Sequence, residues 1–295
     1  MATPVEIRHR IAAVQQTQKI TGAMEMVSSN RMRRVMSHIE YNHKYFVYIR
    51  TMMREILNLS QDEESGTTVS HPYLIEKPNA RRTYIVFSGD KGLCGSYNSS
   101  VLELADECVK YPDASLITVG NTAEEHFHRA GRIPDIAMLG IVQDPTLKTA
   151  RRLSREIMGL LDEELTDEVH VVYTSFYGAT KNKPVVSRIL PLVLNDYADV
   201  TDFERLGGEM MTLTTPQKMF DALVPQYVLG LIFGVMVQAY AGEHFARMNA
   251  MHSSTQNAQD MLKTLQTQYN LARQSAITNE IAEITGAAEI LKGGQ

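Results

Sequence analysis

The chain has 295 residues, 44% hydrophobic and 21% charged, so it is long enough for a sizeable core and too apolar to be globally disordered. Its two cysteines exclude a disulfide scaffold and favour a reducing compartment. The net charge of −5 hides a basic segment, because residues 1–54 carry nine Lys and Arg against three acidic side chains, which predicts an anionic partner for that segment.

The first predicted element is one long helix at residues 1–60. Side chains at alternating steps of four and three from Ile7 to Ile56 follow the heptad pattern of a coiled coil, and apolar residues hold both ends of this seam. The seam is polar from Gln18 to Ser28. In that stretch the apolar side chains lie off the heptad seam, at Ile20, Met24 and Val27. The segment therefore predicts a coiled-coil helix whose apolar stripe shifts near its middle.

Five short apolar runs between residues 80 and 195 predict β-strands, at 83–87, 115–119, 136–142, 169–176 and 185–193. Helical stretches near 97–110, 122–130 and 145–165 separate the first four, and this alternation is typical of a parallel, Rossmann-like α/β sheet. The last two runs predict a hairpin that adds an antiparallel edge strand. Polar segments at 61–79 and 196–216 are predicted to be linkers.

The last segment, at residues 217–295, mirrors the first. Nine apolar side chains recur there at helical spacing: Met248, Met251, Leu262, Leu265, Tyr269, Ala276, Ile277, Ile281 and Ile284. Two helices of this length should pair as an antiparallel coiled coil, because neither buries its stripe alone. The predicted fold class is therefore α/β plus a long antiparallel two-helix coiled coil, with the α/β domain inserted between the helices.

The most apolar run, residues 227–237, is eleven residues long. A membrane-spanning helix needs about 20 apolar residues, so the run predicts the buried start of a helix rather than a membrane span. The N-terminus lacks the apolar region of a signal peptide, and no targeting segment is expected.

One motif has the position of a phosphate loop. Gly89, Gly92 and Gly95 follow the first strand and precede a helix, but their spacing fits neither a Walker A loop nor a dinucleotide fingerprint. A tight turn is favoured, and nucleotide or phosphate binding by the loop at 88–96 stays as an alternative. Cys94 in this turn is interpreted as a structural thiol, because the sequence places none of the candidate bases beside it: His126, His128 and His170.

The other candidate sites, two possible metal sites and one basic run, are interpreted as ordinary surface or contact residues. In the run Glu-Glu-His-Phe-His at 124–128, only Glu124 and His128 share a helix face, so a solvated surface is favoured over a metal site. His244 and His252 have no third ligand at a useful spacing. The pI near 6.0 argues against nucleic-acid binding by the basic run at 31–34, which is interpreted either as a solvated helix face or as a contact for acidic loops of a protein partner. The sequence therefore predicts no catalytic, metal-binding or cofactor-binding residues.

Both ends and the middle of the chain resemble the gamma subunit of F-type ATP synthase. The matching blocks are 7–8, 17–21, 23–27, 92–95, 190–192, 224–227, 246–248, 250–251, 269–270, 272–274, 277–278, 280–281 and 286–288. The resemblance implies a rotor shaft in the central stalk, of bacterial type, with no active site of its own. Such a subunit couples ion flow through the membrane ring to ATP synthesis or hydrolysis on the beta subunits. A coiled-coil adaptor that does not rotate is the other alternative.

The resemblance also implies partners and contact residues. The implied partners are the alpha, beta and epsilon subunits and the c-ring. No nucleic acid, no cofactor and no direct membrane insertion are implied. The implied location is peripheral, on the cytoplasmic side of the cell's inner (plasma) membrane. The implied contact and coupling residues are Met24, Arg8, Arg31, Arg33, Arg34, Arg273, Gln274, Thr278 and Glu280. The chain departs from the family pattern at Gly22, where a basic residue is usual, and in the glycines at 230, 234 and 242, which suggests a divergent branch.

Overall fold

The structure, a computed structural model, describes residues 3–59, 69–78, 80–110, 114–176, 178, 182–192 and 214–292. Its elements in chain order are α1 (Pro4–Leu59), β1 (Arg82–Phe87), α2 (Tyr97–Cys108), β2 (Ser115–Val119), α3 (Asn121–Arg129), β3 (Ile136–Met138), α4 (Leu147–Asp162), β4 (Glu168–Phe176), β5 (Asn182–Leu190) and α5 (Pro216–Lys292). The mixed α/β fold with long terminal helices confirms the predicted fold class. Of the predicted linkers, residues 61–68, 79 and 196–213 lie outside the described residues. Residues 69–78 are described and contain a short 3-10 helix at Pro72–Leu74, whose Tyr73 is buried.

The chain divides into two compact units. The coiled-coil unit comprises Met1–Ser28 and Arg247–Gln295, and the α/β unit comprises Ser29–Ala246. Both long helices contribute to both units, because α1 and α5 each extend past a boundary.

In the coiled-coil unit the two helices run antiparallel. The Thr21 and Thr255 hydroxyl oxygens are 2.8 Å apart, and Glu25 Oε1 lies 2.9 Å from His252 Nδ1, so the position on α5 falls as the position on α1 rises. Two residues of the polar stretch of the seam are buried, since Thr21 is only 8% exposed and Ser28 is 2% exposed, while Gln18 and Glu25 are half-buried.

The predicted shift of the apolar stripe is wrong. Ile20 and Val27 are each 52% exposed, while the hydroxyl side chains on the seam remain inside. The reason is hydrogen bonding, because Thr21 donates to the Gln18 carbonyl at 3.1 Å and shares a bond with Thr255. A buried hydroxyl whose bonds are satisfied carries little penalty.

The α/β unit is built on a five-stranded sheet in the order β3-β2-β1-β4-β5. The strands β1 to β4 are parallel, and β5 pairs antiparallel with β4 at the edge, as predicted. β3 ends at Met138 rather than at 142, because Gly140 takes a left-handed conformation with φ +71°. β5 ends at Leu190 rather than at 193, before Pro191, which has no N–H to continue the ladder.

Alternating side chains of the strands pack in two cores on opposite faces of the sheet. One core contains Tyr84, Val86 and Leu116 with side chains of α2 and α3. The larger core contains Ile85, Phe87 and Ile117 with side chains of α4 and of the α1 and α5 segments in this unit. The second face of the sheet is therefore covered by the two long helices.

The apolar run at 227–237 lies inside α5 rather than at its start, because the helix begins at Pro216 and passes through Pro225. Proline removes one helical hydrogen bond, and the buried side chains of Phe220, Val224 and Val228 hold the helix against the core across that gap. A window of 18 residues in α5 has mean hydropathy 1.7, which meets the length and composition of a membrane span. Half of that window is buried inside the protein, as in the core helix of a globular fold.

Candidate functional site

Six of the nine contact residues implied by the resemblance lie in the coiled-coil unit. Met24 is half-buried. The other five are exposed: Arg8, Arg273, Gln274, Thr278 and Glu280. The Thr278 hydroxyl donates to the Gln274 carbonyl at 2.9 Å, one turn earlier in the same helix. The four polar residues of α5 therefore form an exposed group within about two helical turns.

The end of α5 extends past the start of α1. Pro4 stands 17 residues before Thr21, so in an antiparallel pair it lies opposite Ala272, which stands 17 residues after Thr255. Beyond that position the predicted apolar face is exposed, at 44% for Ile277, 58% for Ile281 and 70% for Ile284. The expectation that these three isoleucines pack against α1 is wrong, because α1 is too short to reach them. We call residues 272–285 the exposed tail.

The other three implied residues, Arg31, Arg33 and Arg34, lie on α1 in the α/β unit, where they are exposed. Burial raises the pKa of Tyr240, and the nearby charges of Arg31 and Arg34 act in the opposite direction. Tyr240 also contacts the His244 ring, with 4.3 Å between ring centroids. The basic run thus borders a polar region of its own unit, and the nine residues are divided between the two units.

The loop after β1 is a closed turn. The first helical residue of α3, Asn121, donates its main-chain N–H to Asp90 Oδ1 at 3.1 Å, and Ala123 donates to Ser88 Oγ at 2.8 Å. The Gly89 N–H donates to Asn98 Oδ1 at 2.8 Å. The Gly89 N–H lies in the turn after the first strand, where such folds bind a phosphate, and the other two N–H groups lie at a helix N-terminus, which also favours anions. Here side chains of the protein already accept them, which argues against the alternative of nucleotide binding.

The thiol and imidazole candidates have local partners. Cys94 is buried, and the Asn98 amide donates to its sulfur at 3.4 Å. Each of the three histidines considered as a base lies beside a carboxylate: His126 with Asp106, His128 with Glu124 and His170 with Glu168. Among the residues that the structure describes, no group of three His, Cys, Asp or Glu side chains could hold a metal ion.

The glycines of α5 receive neighbouring side chains, a role that the sequence analysis missed. A Cβ on Gly230 would lie 3.3 Å from the Tyr45 ring, and a Cβ on Gly242 would lie 3.1 Å from Thr174 Cγ2. The signal in the sequence was the presence of Gly inside a helix. Gly lowers helix stability there by about 1 kcal/mol relative to Ala, so it usually has a packing reason. The partners across the contact could not be read from the sequence.

Comparison with known proteins identifies the family. A family model described as ATP synthase matches residues 3–291. The ATP synthase gamma chain of Acetivibrio thermocellus is 33% identical over 298 residues, covering 99% of this chain and all of that one. The gamma chain of Caldanaerobacter subterraneus is also 33% identical, over 96% of this chain and 98% of that one. The chain belongs to the ATP synthase gamma-chain family.

Solved structures with the same fold come from mitochondrial ATP synthases. A chain in the rotor of the Euglena gracilis enzyme has a TM-score of 0.64 and 16% identity, covering 93% of this chain and 98% of that one. A chain in the central stalk and c-ring structure from Tetrahymena thermophila has a TM-score of 0.59 and 23% identity, covering 79% of this chain and 98% of that one. At these identities the likeness concerns the fold, which the gamma-chain family shares with both.

Proposed function

We propose that this chain is the rotor shaft of the central stalk of an F-type ATP synthase. It couples ion flow through the membrane ring to ATP synthesis or hydrolysis on the beta subunits by rotating among them. The observation that carries this proposal is the 33% identity to ATP synthase gamma chains along essentially the whole of both chains. The catalytic chemistry then belongs to other subunits, and this chain transmits movement.

The C-terminal part of α5, residues 276–291, has the composition that a rotating contact requires. From residue 276 to 291 the only charged side chains are Glu280, Glu283 and Glu289. Fixed charge pairs set the register between two surfaces, so a surface with few charges has few preferred angles. A smooth apolar surface lets a shaft turn inside a sleeve without a deep energetic minimum.

The proposed partners are the alpha and beta subunits around the coiled coil, and the epsilon subunit and c-ring beside the α/β domain. Support comes from the Tetrahymena neighbour, which is part of a central stalk and c-ring structure. The chain would then be held peripherally on the cytoplasmic side of the inner membrane by its partners. In this arrangement residues 1–60 and 217–295 form the shaft, and residues 80–195 form the α/β domain.

The nine implied residues are proposed to contact the stator. Met24 and four residues of α5 would form the contact with beta that is coupled to transport: Arg273, Gln274, Thr278 and Glu280. The basic side chains would meet acidic loops of beta once per step: Arg8, Arg31, Arg33 and Arg34. Exposure of all but Met24 supports these roles.

The test is reconstitution. The full chain is mixed with the alpha and beta subunits, and the products are followed by size exclusion and by an ATPase assay. We expect a complex of three alpha, three beta and one copy of this chain, whose ATPase activity depends on the chain. Equal activity with and without the chain would contradict the rotor role.

A further inference from the structure

The strand order places the switch point of the sheet between the carboxyl ends of β1 and β4. β1 lies between β2 and β4 in the sheet. The chain passes from β1 to β2 on one side of β1, and after β3 it returns through α4 to β4 on the other side of β1. In doubly wound sheets this change of direction opens a crevice, and ligands bind in it. The place where a ligand is expected is therefore fixed by the strand order.

Residues 238–243 of α5 fill this crevice. From the β4 side, the Phe176 N–H and the Ser175 hydroxyl each donate to Gln238 Oε1 at 3.4 Å. From the β1 side, the Tyr97 hydroxyl at the start of α2 donates to the Ala239 carbonyl at 3.0 Å. The helix is thus hydrogen-bonded to both walls of the crevice.

Two glycines make this close fit possible. A Cβ on Gly242 would lie 3.1 Å from Thr174 Cγ2 and 3.2 Å from Asn182 Oδ1, so β4 and β5 press directly on the helix backbone. A Cβ on Gly89 would lie 3.1 Å from the carboxyl carbon of Glu243. Glu243 is only 7% exposed, and it places an internal carboxylate beside the loop where such a sheet receives the phosphate of a ligand.

The crevice differs in kind from the rest of the contact between the sheet and α5. Elsewhere α5 presents apolar side chains such as Val228 and Ile232 to the core. Apolar contact is non-directional. In the crevice, by contrast, α5 is hydrogen-bonded from both sides, and its backbone at Gly242 contacts β4 directly. Because hydrogen bonds are directional, these contacts fix the rotation of the helix about its own axis.

We propose that this crevice is the joint through which torque passes between the α/β domain and the shaft. The inference rests on the proposed rotor function and adds the site of transmission. The fold's ligand crevice holds a segment of the chain's own helix. Gln238, Gly242 and Glu243 act as positioning residues, because they touch no reacting group and act through the angle of the shaft.

The test uses the complete ATP synthase in sealed vesicles, with ATP hydrolysis and ATP-driven ion uptake measured on the same preparation. The variant Gly242→Leu places a side chain between the helix and β4. We expect ATP hydrolysis to continue while the ratio of ion uptake to ATP hydrolysis falls clearly below the wild-type ratio. The matched control is Gly159→Leu on α4, where an added Cβ meets nothing within 4 Å, and it should keep the wild-type ratio.

A second variant guards against a folding defect in Gly242→Leu. The pair Tyr97→Phe with Gln238→Leu removes the hydrogen bonds to both walls at nearly constant volume, and it should lower the same ratio. An unchanged ratio in both variants overturns the proposal. Failure of the rotor function itself is distinguishable, because the wild-type complex would then hydrolyse ATP independently of this chain, and that result overturns both inferences.

Discussion

Asn42 donates a hydrogen bond from its side-chain amide to the main-chain carbonyl of Gly230, with 3.2 Å between the two atoms. The same amide nitrogen would lie 2.6 Å from a Cβ on Gly234. Two glycines one turn apart on α5 thus form a notch that receives a polar side chain from the seam of α1. Asn42 is half-buried, and a polar residue on a coiled-coil seam that finds a partner on the facing helix favours one register of the two helices.

Gly234→Ala is expected to destabilise the protein although Ala is the better helix former. The new methyl group would displace the Asn42 amide and break its bond to Gly230, which costs about 1 kcal/mol or more. Gly22→Ala is the matched control, because an added Cβ there meets nothing within 4 Å. It should raise the free energy of unfolding by up to about 1 kcal/mol. Urea unfolding of both variants measures the two effects.

A double-mutant cycle checks this explanation. In an Asn42→Ala background, Gly234→Ala should become neutral or stabilising, because the amide that it displaces is gone. If the effects of the two substitutions on the free energy of unfolding were additive, displacement of Asn42 would not explain the destabilisation by Gly234→Ala.

The Thr21–Thr255 pair predicts a second non-additive effect. Thr21→Val alone should lower the free energy of unfolding by about 1 kcal/mol, because it leaves the Thr255 hydroxyl without this partner. Thr21→Val combined with Thr255→Val should recover most of that loss, since both hydroxyls are replaced by groups of the same shape. Urea unfolding of the singles and the double gives the coupling energy, and a value near zero would contradict a hydrogen bond between them.

His71 predicts a loss of stability in weak acid. Burial lowers the pKa of His71 from its ordinary value, and the charges of Asp221 and Asp162 oppose this effect. Its Nδ1 accepts the Tyr73 N–H at 3.1 Å, which requires the neutral ring. Since the unfolded chain binds the proton more readily, the free energy of unfolding should fall as pH drops below about 6.5 and level off below the folded pKa.

His71→Asn keeps a side-chain acceptor for that N–H and has no titratable group. Urea unfolding between about pH 7.5 and pH 5 should therefore show a smaller decline for this variant than for the wild type. His128→Asn, at a half-exposed ring, is the control. If the free energy of unfolding fell equally with pH in the wild type and in His71→Asn, the loss of stability in weak acid would not come from His71.

The closed loop after β1 predicts that nucleotides do not stabilise the chain. Because Asp90 and Ser88 already accept N–H groups of α3, millimolar ATP or phosphate should leave the melting temperature unchanged to within about 1 °C. A ligand present at 100 times its Kd would raise it by about 5 °C or more. Thermal unfolding with increasing ATP decides the matter, and a rise that saturates would restore the nucleotide-binding alternative.

Arg273 predicts an effect on coupling rather than on folding. Arg273→Glu on the exposed tail should lower the chain-dependent ATPase activity of the reconstituted complex, because reversing the charge of a proposed contact residue disturbs its electrostatic fit to the beta subunit. Arg129→Glu on α3 is the control, since its pairing with Glu125 is a surface ion pair. Equal activity in the two variants would remove Arg273 from the contact.

The strands, their parallel arrangement and the antiparallel edge could be predicted from sequence because the signals are local. Each strand of the parallel sheet is a short, mostly apolar run, and its flanking residues are visible in the chain itself. The polar stretch of the α1 seam was misassigned for the opposite reason. Whether a threonine is buried there depends on its partner Thr255, more than 200 residues away.

The candidate site was less accessible to sequence reasoning. The contact residues were taken from family resemblance, and their proposed partners are on other chains. The crevice joint was missed because its side chains come from four separate segments, around Tyr97, Thr174, Asn182 and Gln238. Only the unexplained Gly242 hinted at it.

The exposed tail also bears on how a cell handles this subunit before assembly. Its isoleucines and the neighbouring Leu271, which is 60% exposed, leave a helix with an apolar stripe in water. Such stripes adhere to other apolar surfaces until the proper one covers them. Surplus copies would therefore be prone to aggregation and degradation, so synthesis of this chain should be matched to the supply of the subunits that enclose it.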